Sequence, residues 1–270
     1  MLIDDATMIP QLSGISERVA EPYRSYYGKP HVKMPILISG KDKKGNVVDL
    51  PREPVSFANV IERRLKAPKD VIEQWRMHNF FTGDGSIEGT EGDHLIVLDA
   101  QILRELTEKS RLFQGAYLLP NEAWQELKGQ KENVLYLTAE EKWELYNDRY
   151  YLGYVRNRGV WIPASRTVGK VWDTLSRGRN LSSYLQLVSE YFSQSDNLLR
   201  IQLNTNRGQT NQPIMQSLVA EKIDYGSYAY CYNNFDSENI LLVGLLRRMK
   251  SDVTYEKGLE ERVKVVRNLG

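Results

Sequence analysis

The order of the predicted secondary-structure elements constrains the fold of this chain more than any other sequence feature. A hairpin is predicted over residues 31–50, because Gly45 beside Asn46 supplies the turn between two apolar segments. Near the other end, the segments SYAYCY and NILLVGLL predict two adjacent strands. Hairpins mixed with single helix crossovers predict an α+β fold, with a mixed sheet built from hairpins and several packed helices.

Helices are predicted where apolar residues recur every three to four positions. The segments with this spacing are 56–66, 70–81, 139–152, 166–176 and 182–193. Thr138 with Glu141 forms a capping box for the third of them, and Ser165 is an N-cap for the fourth. The aromatic residues Trp143, Tyr146 and Tyr150 predict that one face of the third helix is buried.

Three further segments bear on the predicted fold. Residues 82–93 hold four glycines and four acids, which predicts a loop or a loose hairpin. A buried strand follows at 94–99. Pro213 predicts the start of another helix, and 255–269 carry a narrow apolar stripe typical of a docking helix.

The length of 270 residues suits either one large domain or two small ones. A boundary is predicted near Gly159, because the segment before it is rich in acids and the segment after it is rich in bases. The interpretation is an N-terminal α+β lobe with the acidic loop over residues 1–158 and a basic α+β lobe over 159–270. A single domain over 1–270 is left open.

Composition predicts a soluble, cytoplasmic protein with no membrane partner. The first residues lack the basic and apolar regions of a signal peptide, and the longest apolar run, 240–246, is far too short to span a bilayer. A single cysteine, Cys231, cannot form an intramolecular disulfide. The motifs of nucleotide-binding loops are lacking, so no cofactor is predicted.

The segment 155–180 concentrates positive charge. It holds six cations against Asp173 alone, which gives six minus one, or +5, in a chain whose net charge is +1. Guanidinium groups bind phosphate in a bidentate manner, and Trp161 offers a surface on which a base could stack. The predicted nucleic-acid-binding residues are Arg156, Arg158, Trp161, Arg166, Lys170, Arg177 and Arg179. Trp172 is predicted to lie in the core instead.

These observations favour a non-catalytic protein that binds nucleic acid, DNA or RNA, or another polyanion. Such a protein would work as a subunit of a larger assembly with other protein subunits. Smaller basic clusters could extend its positive surface. They are Arg63, Arg64, Lys66 and Lys69, and Arg247, Arg248 and Lys250.

Two alternatives come from other functional classes. The first is a metal-dependent nuclease, in which oxygen ligands of the 84–93 loop hold Mg²⁺. Its candidate catalytic residues are Asp84, Glu88, Asp93 and His94, with Glu91 as a further ligand. The second is a structural virion or assembly component, in which the aromatic residues and the C-terminal helix form subunit contacts.

Overall fold

The computed structural model describes residues 23–147, 150–192, 195–203, 210–232, 235 and 241–246. Within these ranges the chain forms eight α-helices and sixteen strands. The helices are α1 (Pro30–Ser39), α2 (Phe57–Lys66), α3 (Ile72–Met77), α4 (Gln101–Arg104), α5 (Asn121–Lys128), α6 (Ala139–Trp143), α7 (Arg166–Ser176) and α8 (Leu181–Tyr191). A 3-10 turn spans Ile223–Tyr225.

The strands are short apart from two long central ones. They are β1 (Tyr23–Tyr27), β2 (Arg52–Pro54), β3 (Phe80–Glu88), β4 (His94–Val97), β5 (Leu112–Phe113), β6 (Ala116–Leu118), β7 (Val134–Leu137), β8 (Tyr146–Asn147), β9 (Tyr150–Tyr151), β10 (Tyr154–Asn157), β11 (Val160–Pro163), β12 (Asn197–Leu198), β13 (Ile201–Gln202), β14 (Ile214–Ala220), β15 (Ala229–Tyr232) and β16 (Leu241–Leu246).

Eleven of the described strands belong to one mixed sheet. The strand order along its main path is β1, β16, β3, β14, β15, β13. A branch leaves this path at β3, where β4 pairs with β3 and β7 pairs with β4. Most pairs are antiparallel, whereas β16 with β3 and β13 with β15 are parallel. A smaller sheet joins β11, β10 and β12, and β8 pairs with β9. The α+β class with a mixed sheet is therefore confirmed.

Apolar side chains cover both faces of the main sheet. On one face α2, α7 and α8 pack with residues such as Phe80 and Leu218. On the other face α1, α4 and α5 pack with Phe81 and Val219, the residues that follow Phe80 and Leu218 in the sequence. Because successive side chains of a strand point to opposite faces, β3 and β14 contribute to both apolar clusters. These two strands are accordingly buried along their whole length.

The predicted hairpin at 31–50 is wrong in its first half, where the chain forms α1. Pro30 occupies the first turn of α1, where its lack of an N–H costs nothing. Gly40 ends it with φ 69°, and the Gly40 N–H donates to the Ile36 carbonyl at 2.7 Å. The turn itself is confirmed, since Gly45 has φ 84° and Lys41 bridges to Val47.

The helix predicted over 70–81 ends early, and the loop interpretation of 82–93 is wrong. Helix α3 stops at Met77, and β3 then runs from Phe80 through the glycine-rich segment to Glu88. Strand β3 turns tightly into β4, where the Gly89 N–H donates to the Asp93 carbonyl at 2.9 Å. The hairpin interpretation of this segment is the correct one.

Two other helix predictions also need correction. The segment after Pro213 forms β14, the central strand that pairs with β3. Helix α6 has the predicted capping box but ends at Trp143, and the β8–β9 hairpin follows it. Helices α2, α7 and α8 are confirmed with bounds within two residues of the prediction. The helix predicted over 255–269 and the basic cluster at 247–250 lie outside the described residues.

Candidate functional site

Helix α7 forms where it was predicted, because its own segment of sequence supplies both the N-cap and the apolar stripe. The Ser165 hydroxyl accepts the Val168 N–H at 3.2 Å. Trp172 lies on the buried side, fully inaccessible, and its indole N–H donates to the Leu199 carbonyl at 2.5 Å. The prediction that Trp172 belongs to the core is confirmed. The opposite side of α7 carries Arg166, Lys170 and Asp173.

Acids from distant parts of the chain pair with two cations of the segment 155–180. Glu141 of α6 accepts a hydrogen bond from Lys170, and this bond lowers the pKa of the Glu141 carboxyl. Arg177, one residue past the helix, pairs with Asp99 at 2.5 Å. Lys170 and Arg177 are thus each paired with an acid, whereas Arg166 makes no ion pair with a described residue, although its charge also lowers the pKa of Glu141. Neither Glu141 nor Asp99 lies near its partner in the sequence.

The β10–β11 hairpin presents the next two arginines. Arg158 and Gly159 form its turn with φ 49° and 83°, as a tight two-residue hairpin turn requires. Arg156 lies directly across from Trp161. Trp161 is half-buried and packs against the core. Arg156 and Arg158 are both exposed.

The predicted nucleic-acid-binding residues do not converge on one point. Arg166 and Arg177 lie at opposite ends of α7, about 16 Å apart at 1.5 Å per residue. The hairpin turn is separated from the start of α7 by β11, about 13 Å of extended chain. Arg179 follows in the turn between α7 and α8. Instead of one pocket, the structure offers five exposed arginines. Arg177 pairs with Asp99, and the other four make no ion pair with a described residue: Arg156, Arg158, Arg166 and Arg179.

Asp84, the first candidate of the nuclease hypothesis, is fully buried inside β3. Its carboxylate accepts the Phe57 N–H at 2.6 Å and the Asp99 N–H at 2.8 Å. Burial nevertheless raises the pKa of Asp84 to about 6. Because Phe57 is the first residue of α2, the Asp84 carboxylate stabilises the start of that helix.

The other three nuclease candidates are also buried, and the two acids have partners of their own. Glu88 pairs with Lys142 at 2.9 Å. Asp93 pairs with Lys128 at 2.8 Å. His94 is completely buried, and its ring nitrogens have no hydrogen-bond partner among the described residues. Burial, assisted by the Lys142 ammonium, holds the pKa of His94 well below its ordinary value.

The nuclease candidates are spread along the hairpin. Asp84 and Glu88 are four residues apart in an extended strand, about 13 Å. Across the part of the chain that the structure describes, no group of three or more His, Cys, Asp or Glu side chains could hold a metal ion. The same described part contains no helix long and apolar enough to cross a membrane.

Sequence reasoning missed a cavity of about 380 Å³ beside the β3–β4 turn. The lining combines that turn with Lys142 and Trp143 of α6 and with Thr210 and Gln212. Trp143, predicted to be buried, is 54% exposed instead. The capping box had correctly placed the start of α6. None of the six cations of the segment 155–180 lines this cavity.

Comparison with known proteins yields one distant structural likeness. No protein-family model and no curated protein match the chain. One solved structure, described as "Accommodation of massive sequence variation in Nanoarchaeota by the C-type lectin fold", covers 71% of this chain and 86% of its own. The sequence identity is 13% and the TM-score 0.45. A likeness this distant carries no argument about the function of the chain.

Proposed function

We propose that this protein binds a polyanion, with nucleic acid as the expected ligand, through the four exposed arginines that make no ion pair with a described residue. The observation that carries the proposal is the difference in ion pairing among the cations of the segment 155–180. Arg156, Arg158, Arg166 and Arg179 make no ion pair with any described residue, whereas Lys170 and Arg177 are both paired. An unpaired exposed guanidinium can bind phosphate in a bidentate manner without first breaking a protein contact.

The geometry favours contacts to phosphate over contacts to bases. Trp161 is half-buried against the core, so little of its ring is open for stacking. The arginines are spread over a surface, which suits a backbone with regularly spaced charges. Binding of this kind depends steeply on salt and weakly on sequence.

The outer face of the β10–β11 hairpin supports a role within a larger assembly. Val160 is 62% exposed and Ile162 is 38% exposed, and both lie on the face opposite Trp161. Aliphatic side chains open to solvent on one face are available for contact with a partner subunit. Light scattering checks self-association directly. A strict monomer at high concentration would count against a self-assembling structural component.

Affinity for single- and double-stranded DNA and RNA, measured by fluorescence anisotropy across a salt series, tests the polyanion proposal. Replacing Arg156 and Arg158 by Gln removes two charges from the hairpin. If both contact duplex phosphates, the slope of log affinity against log salt falls in magnitude by about 2. The nuclease hypothesis is checked with the same oligonucleotides, since it predicts cleavage with Mg²⁺ or Mn²⁺.

The matched control removes the same total charge elsewhere. Lys44 and Lys131 are exposed residues outside the segment 155–180, and the variant with Gln at both should bind as the wild type does. Equal losses in the two double variants would show a general charge effect and contradict a specific surface. No binding at low salt would contradict the proposal altogether.

A further inference from the structure

Strand β11 lies at an edge of the smaller sheet. The strand order of that sheet is β11, β10, β12, so among the described strands β11 has a neighbour on one side alone. Its side chains are open to solvent, since Val160 is 62% exposed and Ile162 is 38% exposed. An edge strand of this kind is a template on which an extended segment of another chain can pair.

The register of the β10–β11 hairpin shows which backbone groups of β11 point outwards. Asn157 and Val160 flank the two-residue turn, so they exchange hydrogen bonds, and every second pair along the hairpin does the same. The Ala164 N–H donates to the Gly153 carbonyl at 2.9 Å, as this alternation requires. Trp161 lies between two bonded positions. Its backbone N–H and C=O are therefore directed away from β10, towards the edge.

Pro163 is the other residue of β11 whose backbone faces outwards. It lies two residues beyond Trp161 and has no N–H to donate. Proline is tolerated in a sheet at such an edge position, because no ladder hydrogen bond is lost there. The Pro163 C=O remains as an acceptor. The edge of β11 thus offers one donor and two acceptors to a strand that lies beside it.

Three exposed arginines surround this edge. Arg156 lies directly opposite Trp161 on β10. Arg158 lies in the turn before β11, and Arg166 starts α7 three residues after it. None of the three makes an ion pair with a described residue. Concentrated positive charge around the strand repels a second copy of the same edge and attracts a segment that carries acids.

We propose that β11 binds an extended segment of a partner subunit in which acidic and apolar residues alternate. The segment pairs with the edge through the Trp161 N–H and C=O. Its apolar side chains lie beside Val160 and Ile162 on the outer face. Its acidic side chains lie on the opposite face, which carries Arg156. The inference rests on the proposed role in an assembly and is independent of nucleic-acid binding.

Amide hydrogen exchange, followed for single residues by NMR, tests this pairing directly. The probe is a seven-residue peptide of alternating Glu and Val with blocked ends. The Trp161 amide, which points to the edge, should exchange about 10-fold more slowly at a peptide concentration ten times the Kd. The Ile162 amide donates to β10 with or without the peptide. Its exchange should not change, and this shows that the hairpin is intact.

Two further peptides separate strand pairing from attraction between charges. A peptide of the same composition, with its Glu and Val residues in two blocks, has the same charge and no alternation. It should bind at least roughly 3-fold more weakly. A peptide with Lys in place of every Glu should not bind, because the arginines repel it.

Exposed aliphatic residues supply a matched pair of variants. Ile162→Thr should weaken the alternating peptide roughly 1.5- to 5-fold, because it removes an apolar cross-strand contact. Val47→Thr is the control, since Val47 is likewise exposed and lies in a different hairpin, opposite Lys41. It should bind the peptide as the wild type does. Both substitutions keep the charge, so neither should alter the affinity for nucleic acid.

Several outcomes would overturn the inference. An unchanged Trp161 amide at a high peptide concentration would exclude pairing at this edge, and equal binding of the alternating and block peptides would reduce the interaction to charge. A Trp161 amide that is protected without peptide, and more so as the protein concentration rises, would show pairing between two copies instead. If nucleic acid fails to bind while the Trp161 amide responds to the peptide, the polyanion proposal alone fails. The reverse result rejects this inference alone.

Discussion

Arg64 shows that an arginine in a basic cluster can serve the fold alone. Its guanidinium is completely buried, and all five of its N–H groups have acceptors. These acceptors are the Trp75, His78 and Ala220 carbonyls and the Tyr184 and Ser227 hydroxyls. They come from α3, α8, β14 and the adjoining loops, so Arg64 links the elements that surround α2. The cluster at 63–69 therefore cannot extend a binding surface through this residue.

Glu221 makes the stability of the protein depend on pH. Burial raises its pKa from 4.5 to about 7, an effect that the nearby Arg200 guanidinium only partly opposes. Between those pH values the folded state keeps a proton that the unfolded state releases. Stability is therefore greatest below the unfolded pKa and falls as the pH rises through about 7.

Replacing Glu221 by Gln should remove this dependence. Glu221 is only half-buried, and solvent weakens the effect of its pKa shift on stability. We therefore expect the free energy of unfolding of the variant to exceed that of the wild type by on the order of 1 kcal/mol at pH 8 and by little at pH 4.5. Urea unfolding of both proteins across this range measures the difference. The pKa of Asp84 is also raised, but Asp84 is present in both proteins, so its contribution to the difference cancels. A difference that does not vary with pH would contradict the assignment.

At the scale of elements, a helix or strand was predicted correctly where the contacts that stabilise it lie close together in the sequence. Helices α2 and α7 carry their own N-caps, Ser56 and Ser165, so a short stretch of sequence defines them. Strand β3 depends on distant partners instead. A Cβ on Gly83 would press on Pro54, and one on Gly85 would overlap Met215 of β14. These glycines permit close packing between strands, yet in the sequence they resemble a loop.

The same distinction applies to the candidate sites. The sequence located every arginine, but the partners that neutralise Lys170 and Arg177 lie 29 and 78 residues away along the chain. The cavity beside the β3–β4 turn likewise brings residues 88–92 together with residues of α6 and with Thr210, Gln212 and Ile214. Charge composition is a local property, whereas the availability of each charge depends on the tertiary structure.

Gly153, just before β10, tests the importance of close backbone contact in the smaller sheet. A Cβ there would overlap the backbone carbonyl oxygen of Leu198, next to the β10–β12 pair. Because the backbone cannot move aside as a side chain can, Gly153→Ala should destabilise the protein by about 2 kcal/mol or more. Thermal unfolding measures the change.

Gly129 is the matched position for this prediction. It follows α5 with φ −78°, and a Cβ there would meet nothing closer than the Glu126 carbonyl oxygen at 3.5 Å. Gly129→Ala should be neutral or stabilising by about 0.4 to 1 kcal/mol, because alanine restricts the unfolded chain. Similar losses in the two variants would contradict a local steric cause.

At the scale of the whole molecule, helix α6 contacts α7 on one side and a cavity on another. Glu141 pairs with Lys170 of α7, while Lys142 and Trp143 line the cavity beside the β3–β4 turn. The proposed arginine surface concentrates positive charge within a chain of net charge +1. Such a surface cannot be inferred from the overall charge of the protein.

The main sheet bears on whether the chain unfolds as one unit or two. Strand β3, before the predicted boundary near Gly159, pairs with β14 and β16, which both follow it. The apolar cluster on one face likewise joins Phe57 with Trp172, whose rings lie 5.4 Å apart. Lobes that share a sheet and an apolar cluster cannot separate without exposing both. We therefore expect a single cooperative unfolding transition, although the two-lobe interpretation remains a prediction.

Calorimetry together with denaturant unfolding checks this expectation. Agreement between the calorimetric and van't Hoff enthalpies, and coincident midpoints by circular dichroism and tryptophan fluorescence, would show one unit. Trp75 and Trp124 lie before the predicted boundary and Trp161 and Trp172 after it, so single-tryptophan variants can report on each side separately. Midpoints that differ between the two sides would instead support a basic lobe that begins at residue 159 and unfolds on its own.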